Sequence, residues 1–212
     1  MTTTVEDVKV TLKKISSELD DVEHRREALI KGTRGVIINC SKSIMALHRG
    51  RCEEAAKLLD EAQADLGSLR THVKGDLERY LLNAEQELVE AYQLKRVYEK
   101  THLAGIEELN VSTSSYLLGL LDSIGEIKRM IYDNLRSERT TDALSLFALM
   151  EDLYSSIYPF SVYDNIVPGI RRKLDVAKIL IENARSSLTE ESSRNLLIKK
   201  LDILEKRFGS VT

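Results

Sequence analysis

Proline is nearly absent from this chain. Pro159 and Pro168 are the only two in 212 residues, and both come late. Proline stops a helix because it lacks a backbone N–H and its ring clashes with the preceding turn. Nothing in the first three quarters of the chain therefore forces a helix to end. Leu, Glu, Lys, Arg and Ala recur throughout, and these side chains lose little rotamer freedom in a helix. Aromatic residues make up 5%, too few for a strand-rich sandwich or for a sheet that stacks bases on rings. The expected fold class is all-α: a single-domain bundle over residues 1–212 with about seven helices, large enough to bury a sizeable core.

Apolar spacing places those helices. Val5, Val8, Leu12, Ile15, Leu19 and Val22 recur three and four apart, a heptad-like stripe that packs helix on helix. Gly32 and Gly35 leave two readings open, a break near Gly32 or one long helix with a weak point, before Val36, Ile37, Cys40, Ile44 and Leu47 restore the period. His48-Arg49-Gly50 reads as a stop, with cationic side chains in the last turn and glycine beyond. A short helix carries Ala55, Leu58, Leu59, Ala62 and Leu66, and the next is expected from about Asp76 to His102. Ser112 to Ser115 offers an N-cap to a helix holding Leu117, Leu121, Ile124 and Ile131. Another helix spans about Thr141 to Tyr158 and ends at Pro159. Phe160 to Pro168 reads as a loop. Val176 to Leu188 and Leu196 to Leu204 then read as two further helices.

Several classes drop out. No apolar run reaches the roughly 18 residues that a membrane span needs. Thr2, Thr3 and Thr4 followed by charged residues do not make a secretory leader. Cys40 and Cys52, two isolated thiols, read as reduced, and the expected location is cytoplasmic. No glutamate is followed three positions later by histidine, as a ferritin-like di-metal bundle requires. A Gly-x-Ser-x-Gly nucleophile elbow is absent as well. The formal net charge is −3, which runs against a simple electrostatic binder of nucleic acid unless basic residues gather on one surface.

Two carboxylate pairs stand out. Glu87 and Glu90 lie three apart on one predicted helix, and Asp122 and Glu126 four apart on the next. At roughly 100° per residue, each pair points to one side of its helix. Gly119, Ser123 and Gly125 accompany the second pair, and their small size leaves room for a substrate backbone. Carboxylate oxygens are the ligands that Mg²⁺ or Mn²⁺ takes, and such a cation activates water and neutralises charge on a phosphodiester. Spacing alone is equally compatible with ordinary solvated surface, since like charges on an exposed helix cost only a few tenths of a kcal/mol.

Gln86-Glu87-Leu88-Val89-Glu90-Ala91 resembles the Gln-Glu-Tyr-Val-Glu-Ala signature of the translin family's nuclease-active branch, the translin-associated factor X type. Tyr116-Leu117-Leu118-Gly119-Leu120-Leu121-Asp122-Ser123-Ile124-Gly125-Glu126 resembles that branch's second motif. Ala46-Leu47-His48-Arg49-Gly50 and Pro168-Gly169-Ile170-Arg171-Arg172-Lys173 extend the likeness from about residue 25 to 190. Leu88 stands where the branch has tyrosine, and Ser123-Ile124 where it has Leu-Thr. The chain lacks the long insertion between the motifs, as the archaeal members do. The resemblance implies an all-α subunit of a homo-oligomeric shell, an octamer in this family. It implies that single-stranded RNA, and also single-stranded DNA, is bound on interior surfaces. It further implies a Mg²⁺-dependent (or Mn²⁺-dependent) endoribonuclease whose catalytic and metal-binding residues are Glu87, Glu90, Asp122 and Glu126. The alternative is a shell that binds nucleic acid without cleaving it, and a third class is a helical scaffold that binds a protein through the stripe from Val5 to Val22.

The expected RNA contacts are Arg25, Arg34, Arg70, His72, Lys74 and Arg79, with Lys128 and Arg129 one turn beyond the second acidic pair. Arginine and lysine neutralise phosphate without reading sequence. Arg25 and Arg34 rank first, from the basic first-helix region of the family. Arg171-Arg172-Lys173 reads more simply as the solvated start of a helix.

Overall fold

The computed structural model describes residues 5–209, with side chains through residue 206. The threonine run at residues 2–4 lies outside the described residues. Within them stand seven α-helices and three short 3-10 segments, with no strand. Among the described residues, no helix is long and apolar enough to cross a membrane. The chain resolves into two compact units, Met1–Gly119 and Leu120–Thr212.

In the first unit, α1 (Glu6–His48) packs against α2 (Cys52–Leu69) and α3 (Leu82–Tyr98). Leu29, Val36, Cys40 and Leu47 from α1 are buried with Leu59 and Leu66 from α2 and with Leu88 and Leu94 from α3. α1 runs through Gly32 without a break, because that glycine serves packing. A Cβ there would stand 2.3 Å from Leu69 Cδ2, so the missing side chain is what lets the end of α2 close onto α1. The predicted stop after His48 is observed: Gly50 takes φ +72°, Arg51 N donates to Ala46 O at 2.9 Å, and the orphan carbonyls are satisfied.

The predicted helix from Asp76 to His102 is corrected at both ends. Gly75–Tyr80 is a 3-10 segment, α3 starts only at Leu82, and it finishes at Tyr98. Gly75 at φ +58° and Lys100 at φ +55° mark the two limits, since neither conformation continues an α-helix. A one-turn helix, α4 (Ile106–Leu109), precedes α5 (Thr113–Arg136), which begins in the first unit and continues into the second.

In the second unit, α6 (Thr140–Ile157) packs against α7 (Ile170–Gly209). Two C-terminal helices were expected and one is found. Residues 189–195, Thr-Glu-Glu-Ser-Ser-Arg-Asn, contain neither glycine nor proline, so polarity alone does not end the helix. The predicted loop from Phe160 to Pro168 is also partly helical. Tyr158–Tyr163 forms a 3-10 turn with Pro159 in its first positions, where the absent N–H has no partner to lose.

The stripe at the start of α1 finds no core in the described chain. Val5, Leu12 and Leu19 are 58%, 57% and 62% exposed, and Leu196, Leu197, Leu201 and Leu204 of α7 are exposed too.

Candidate functional site

The geometry of the site begins with how α5 is seated on α3. Glu85 is buried, and its carboxylate accepts Ser112 N at 3.0 Å and Arg70 Nη2 at 3.2 Å. Ser112 Oγ accepts Ser115 N at 3.2 Å, the N-cap expected from the sequence. Ser115 Oγ in turn donates to Leu82 O at 3.0 Å, and Tyr116 donates its hydroxyl to Ala104 O at 2.9 Å. One turn later Gly119 meets α3 itself. A Cβ at that position would lie 2.6 Å from both Gln86 O and Val89 Cβ.

This corrects the reading of Gly119 and Ser123 as an approach for substrate. Gly119 is buried against α3, Ser123 is buried and donates to Leu120 O at 2.7 Å, and a Cβ at Gly125 would touch Leu180 Cδ1 at 3.8 Å. At Gly119 small size serves close packing between helices, whereas at Gly125 an added Cβ would meet only ordinary van der Waals contact.

Glu87 and Glu90 are both half-buried on α3. Their charge is felt by Cys40 of α1. Burial first, then the Glu87 carboxylate and then Glu90, push that thiol from 9.0 up to about 12. Asp122 and Glu126 are both half-buried on α5. Asp122 Oδ1 accepts a charge-assisted bond from the Lys173 ammonium in the first turn of α7. Glu126 Oε2 stands 3.9 Å from Arg129 Nη1, a loose pair on its own helix.

Each pair therefore offers hard oxygen donors on one helix side, the ligands a small divalent cation takes, and Asp122 already holds a cationic group. By chemistry, pair by pair, the residues fit such a cation. Among the described residues, no three His, Cys, Asp or Glu side chains form a group that could hold a metal ion.

The basic candidates separate into distinct roles. Arg25 bonds Asp21 at 3.0 Å and reaches Thr71 O at 3.4 Å, and Lys74 stands 3.7 Å from Asp21. Arg26 Nε donates to the Tyr80 hydroxyl at 3.0 Å, with the Arg79 guanidinium 5.2 Å from the centre of the same ring. The Arg79 and Arg26 guanidiniums hold the Tyr80 phenol below its usual value. Arg26 and Arg79 thus flank one aromatic ring, while Arg25 and Lys74 meet at Asp21. Arg34 and His72 are exposed. Arg70 turns inward to Glu85 and to Asn110 O. Lys128 lies 5.3 Å from the centre of the Tyr132 ring.

Two participants were missed in the sequence. Tyr80 carries no motif, and Lys173 looked like the solvated start of a helix. Only the fold reveals what each one touches.

The long α-helices that carry these acidic pairs form an all-α fold similar to that of several solved structures. The crystal structure of AfC3PO matches it with a TM-score of 0.81 and 30% identity, over 88% of this chain and 99% of that one. The structure of an AfC3PO–duplex RNA complex matches with a TM-score of 0.80 and 28% identity, over 88% and 98%. Apo-NeC3PO, at 21% identity and a TM-score of 0.78 over 85% and 96%, shares the fold. An uncharacterised protein of Methanocaldococcus jannaschii is 27% identical over 168 residues, 77% of this chain and 74% of that protein. The translin family profile matches residues 24–184. The chain belongs to the translin family, in its archaeal type.

Proposed function

We propose that this protein binds RNA and cleaves it with the help of a divalent cation. RNA binding rests on the likeness to AfC3PO, whose structure with duplex RNA matches over 88% of this chain, and on the basic turn around Tyr80. Cleavage rests on one observation above all: both carboxylate pairs of the resemblance stand half-buried on long helices, and Asp122 engages a cationic group in place. Single-stranded RNA is the proposed substrate for cleavage, with duplex RNA and single-stranded DNA as competing ligands.

In this reading Arg25, Arg34, Lys74 and Arg79 hold the phosphate backbone without reading bases, because guanidinium and ammonium groups contact what every nucleotide shares. Lys128 and Arg129 flank the second acidic pair and steady the phosphate nearest to it. Glu87, Glu90, Asp122 and Glu126 would hold Mg²⁺ or Mn²⁺. When bound, such a cation supplies charge neutralisation at the phosphodiester and lowers the pKa of water. Half-burial of the carboxylates matters, since reduced solvent screening strengthens their hold on a cation.

A homo-oligomer, octameric by family likeness, is proposed to cover the apolar ridge of α1 and the exposed leucines at the end of α7. Sedimentation analysis tests that assembly. A second reading, RNA binding without cleavage, is favoured by the lack of any three-member acidic group among the described residues.

The deciding experiment incubates labelled single-stranded RNA with the protein in Mg²⁺, in Mn²⁺ and in EDTA, with a Glu126→Ala variant alongside. Cleavage that needs the cation and vanishes in the variant, while RNA stays bound, supports the enzyme. Cleavage that persists in EDTA or in Glu126→Ala rules it out.

A further inference from the structure

We propose that Lys173 is the resident counter-ion of Asp122, a positioning residue whose ammonium occupies the carboxylate until a divalent cation displaces it. The inference rests on the cation-dependent reading above and adds a gate to it. Lys173 and Asp122 are bonded, and their side chains are 29% and 25% exposed, so the pair is reachable by ions yet poorly screened by water.

The two sides of the pair differ in freedom. The backbone that carries Asp122 is anchored, because its neighbours Leu121, Ser123 and Ile124 are all buried. The start of α7 is fixed as well. Asp164 Oδ1 accepts Arg171 N at 3.1 Å, Arg171 Nε donates to Ser161 O at 2.9 Å, and Ile170 and Leu174 are buried. What can move is the four-carbon stem of Lys173, which ends in a compact charge able to let go of one partner and take another. Neighbouring Arg171 is tied to Ser161, and Arg172 is exposed. The sole lysine of the Arg-Arg-Lys run is therefore the group that touches Asp122.

The consequence is an exchange of cations. Without a divalent ion the ammonium keeps Asp122 ionised and oriented. With one bound, the ammonium is released from the carboxylate. Arginine at this position would grip the carboxylate through a planar fork and release it less readily.

The test is Mn²⁺ binding followed by electron paramagnetic resonance, without RNA, on wild-type protein, Lys173→Met and Lys173→Arg. Lys173→Met keeps the length of the stem and removes the competing charge. It is expected to bind Mn²⁺ about tenfold more tightly, which is about 1.4 kcal/mol. Lys173→Arg is expected to bind no more tightly than wild type, and it keeps the test decisive should Lys173→Met fold poorly. Adding Asp122→Asn to Lys173→Met should remove the gain. Equal or weaker binding by Lys173→Met, or tighter binding by Lys173→Arg, overturns the counter-ion role while leaving the cation-dependent reading in place. No Mn²⁺ binding by any of the proteins overturns both.

Discussion

Glu85 and Arg70 form a pair in which one partner is almost wholly buried and the other only partly: Arg70 Nη2 lies 3.2 Å from Glu85 Oε1, with side-chain exposures of 26% and 5%. The same carboxylate receives Ser112 N at the head of α5. Arg70 was a predicted RNA contact, and its observed partners are internal.

Removing Arg70 leaves the buried Glu85 carboxylate without its counter-ion, and removing Glu85 leaves Ser112 N and a partly buried guanidinium without their acceptor. Glu85→Ala is expected to lower stability by roughly 3 kcal/mol, measured by urea unfolding. Arg70→Ala should also lower stability, with little effect on the salt dependence of RNA binding in protein that remains folded. A stable Arg70→Ala protein with sharply weakened RNA binding would contradict this assignment.

The opposite outcome is expected on the basic turn. Arg25→Ala and Arg79→Ala should each weaken RNA binding across sequences and reduce the slope of log affinity against log salt by about one. Their ion pairs to Asp21 and Asp76 are solvent-exposed, so unfolding should change little. Filter binding at several salt concentrations gives both quantities. Arg34→Ala should behave in the same way.

Gly119→Ala tests the seat of α5. The added methyl would meet a backbone oxygen and a branched side chain at 2.6 Å, and neither is the far end of a flexible chain. A loss of roughly 1–3 kcal/mol is expected from overpacking. Gly35→Ala on α1, where nothing lies within 4 Å, is the control and should be neutral or stabilising.

The two thiols should differ in reactivity. Cys40 is buried and pushed up to about 12, whereas Cys52 is exposed. Native protein at pH 8 should take up one equivalent of iodoacetamide, at Cys52, as mapped by mass spectrometry. The raised value also sets a pH dependence. Between about 9 and 12 the folded state keeps a proton that the unfolded state has lost, so the contribution of Cys40 to stability is complete below pH 9 and falls as pH rises through that window. Cys40→Ala should flatten this part of the alkaline unfolding curve.

Much of the architecture could be read from periodicity. The long helices, the stop after His48 and the serine cap of α5 all follow from local chemistry. What could not be read depended on partners distant in sequence. Gly32 looked like a weak point because glycine is a poor helix former, yet it admits Leu69. Gly119 looked like open space because the helix that fills it lies thirty residues earlier. The polar stretch before Leu196 looked like a boundary, but polarity marks exposure and only backbone chemistry ends a helix. The acidic pairs stand out in the sequence as candidates, through a motif with fixed spacing. Lys173 does not, because its meaning comes from an acid fifty-one positions away.

The contact at Gly119 works as an indexing mark. Asp122 and Glu126 follow it by three and seven residues, so on a regular helix both stay within roughly 60° of the direction Gly119 faces. Counting starts at the glycine and not at the head of the helix. Lengthening or shortening the segment before it would leave the phase of the two acids untouched. A single residue inserted between Gly119 and Asp122 would swing both by roughly 100°. Anyone regrafting this helix should preserve the interval before the identity of the residues within it.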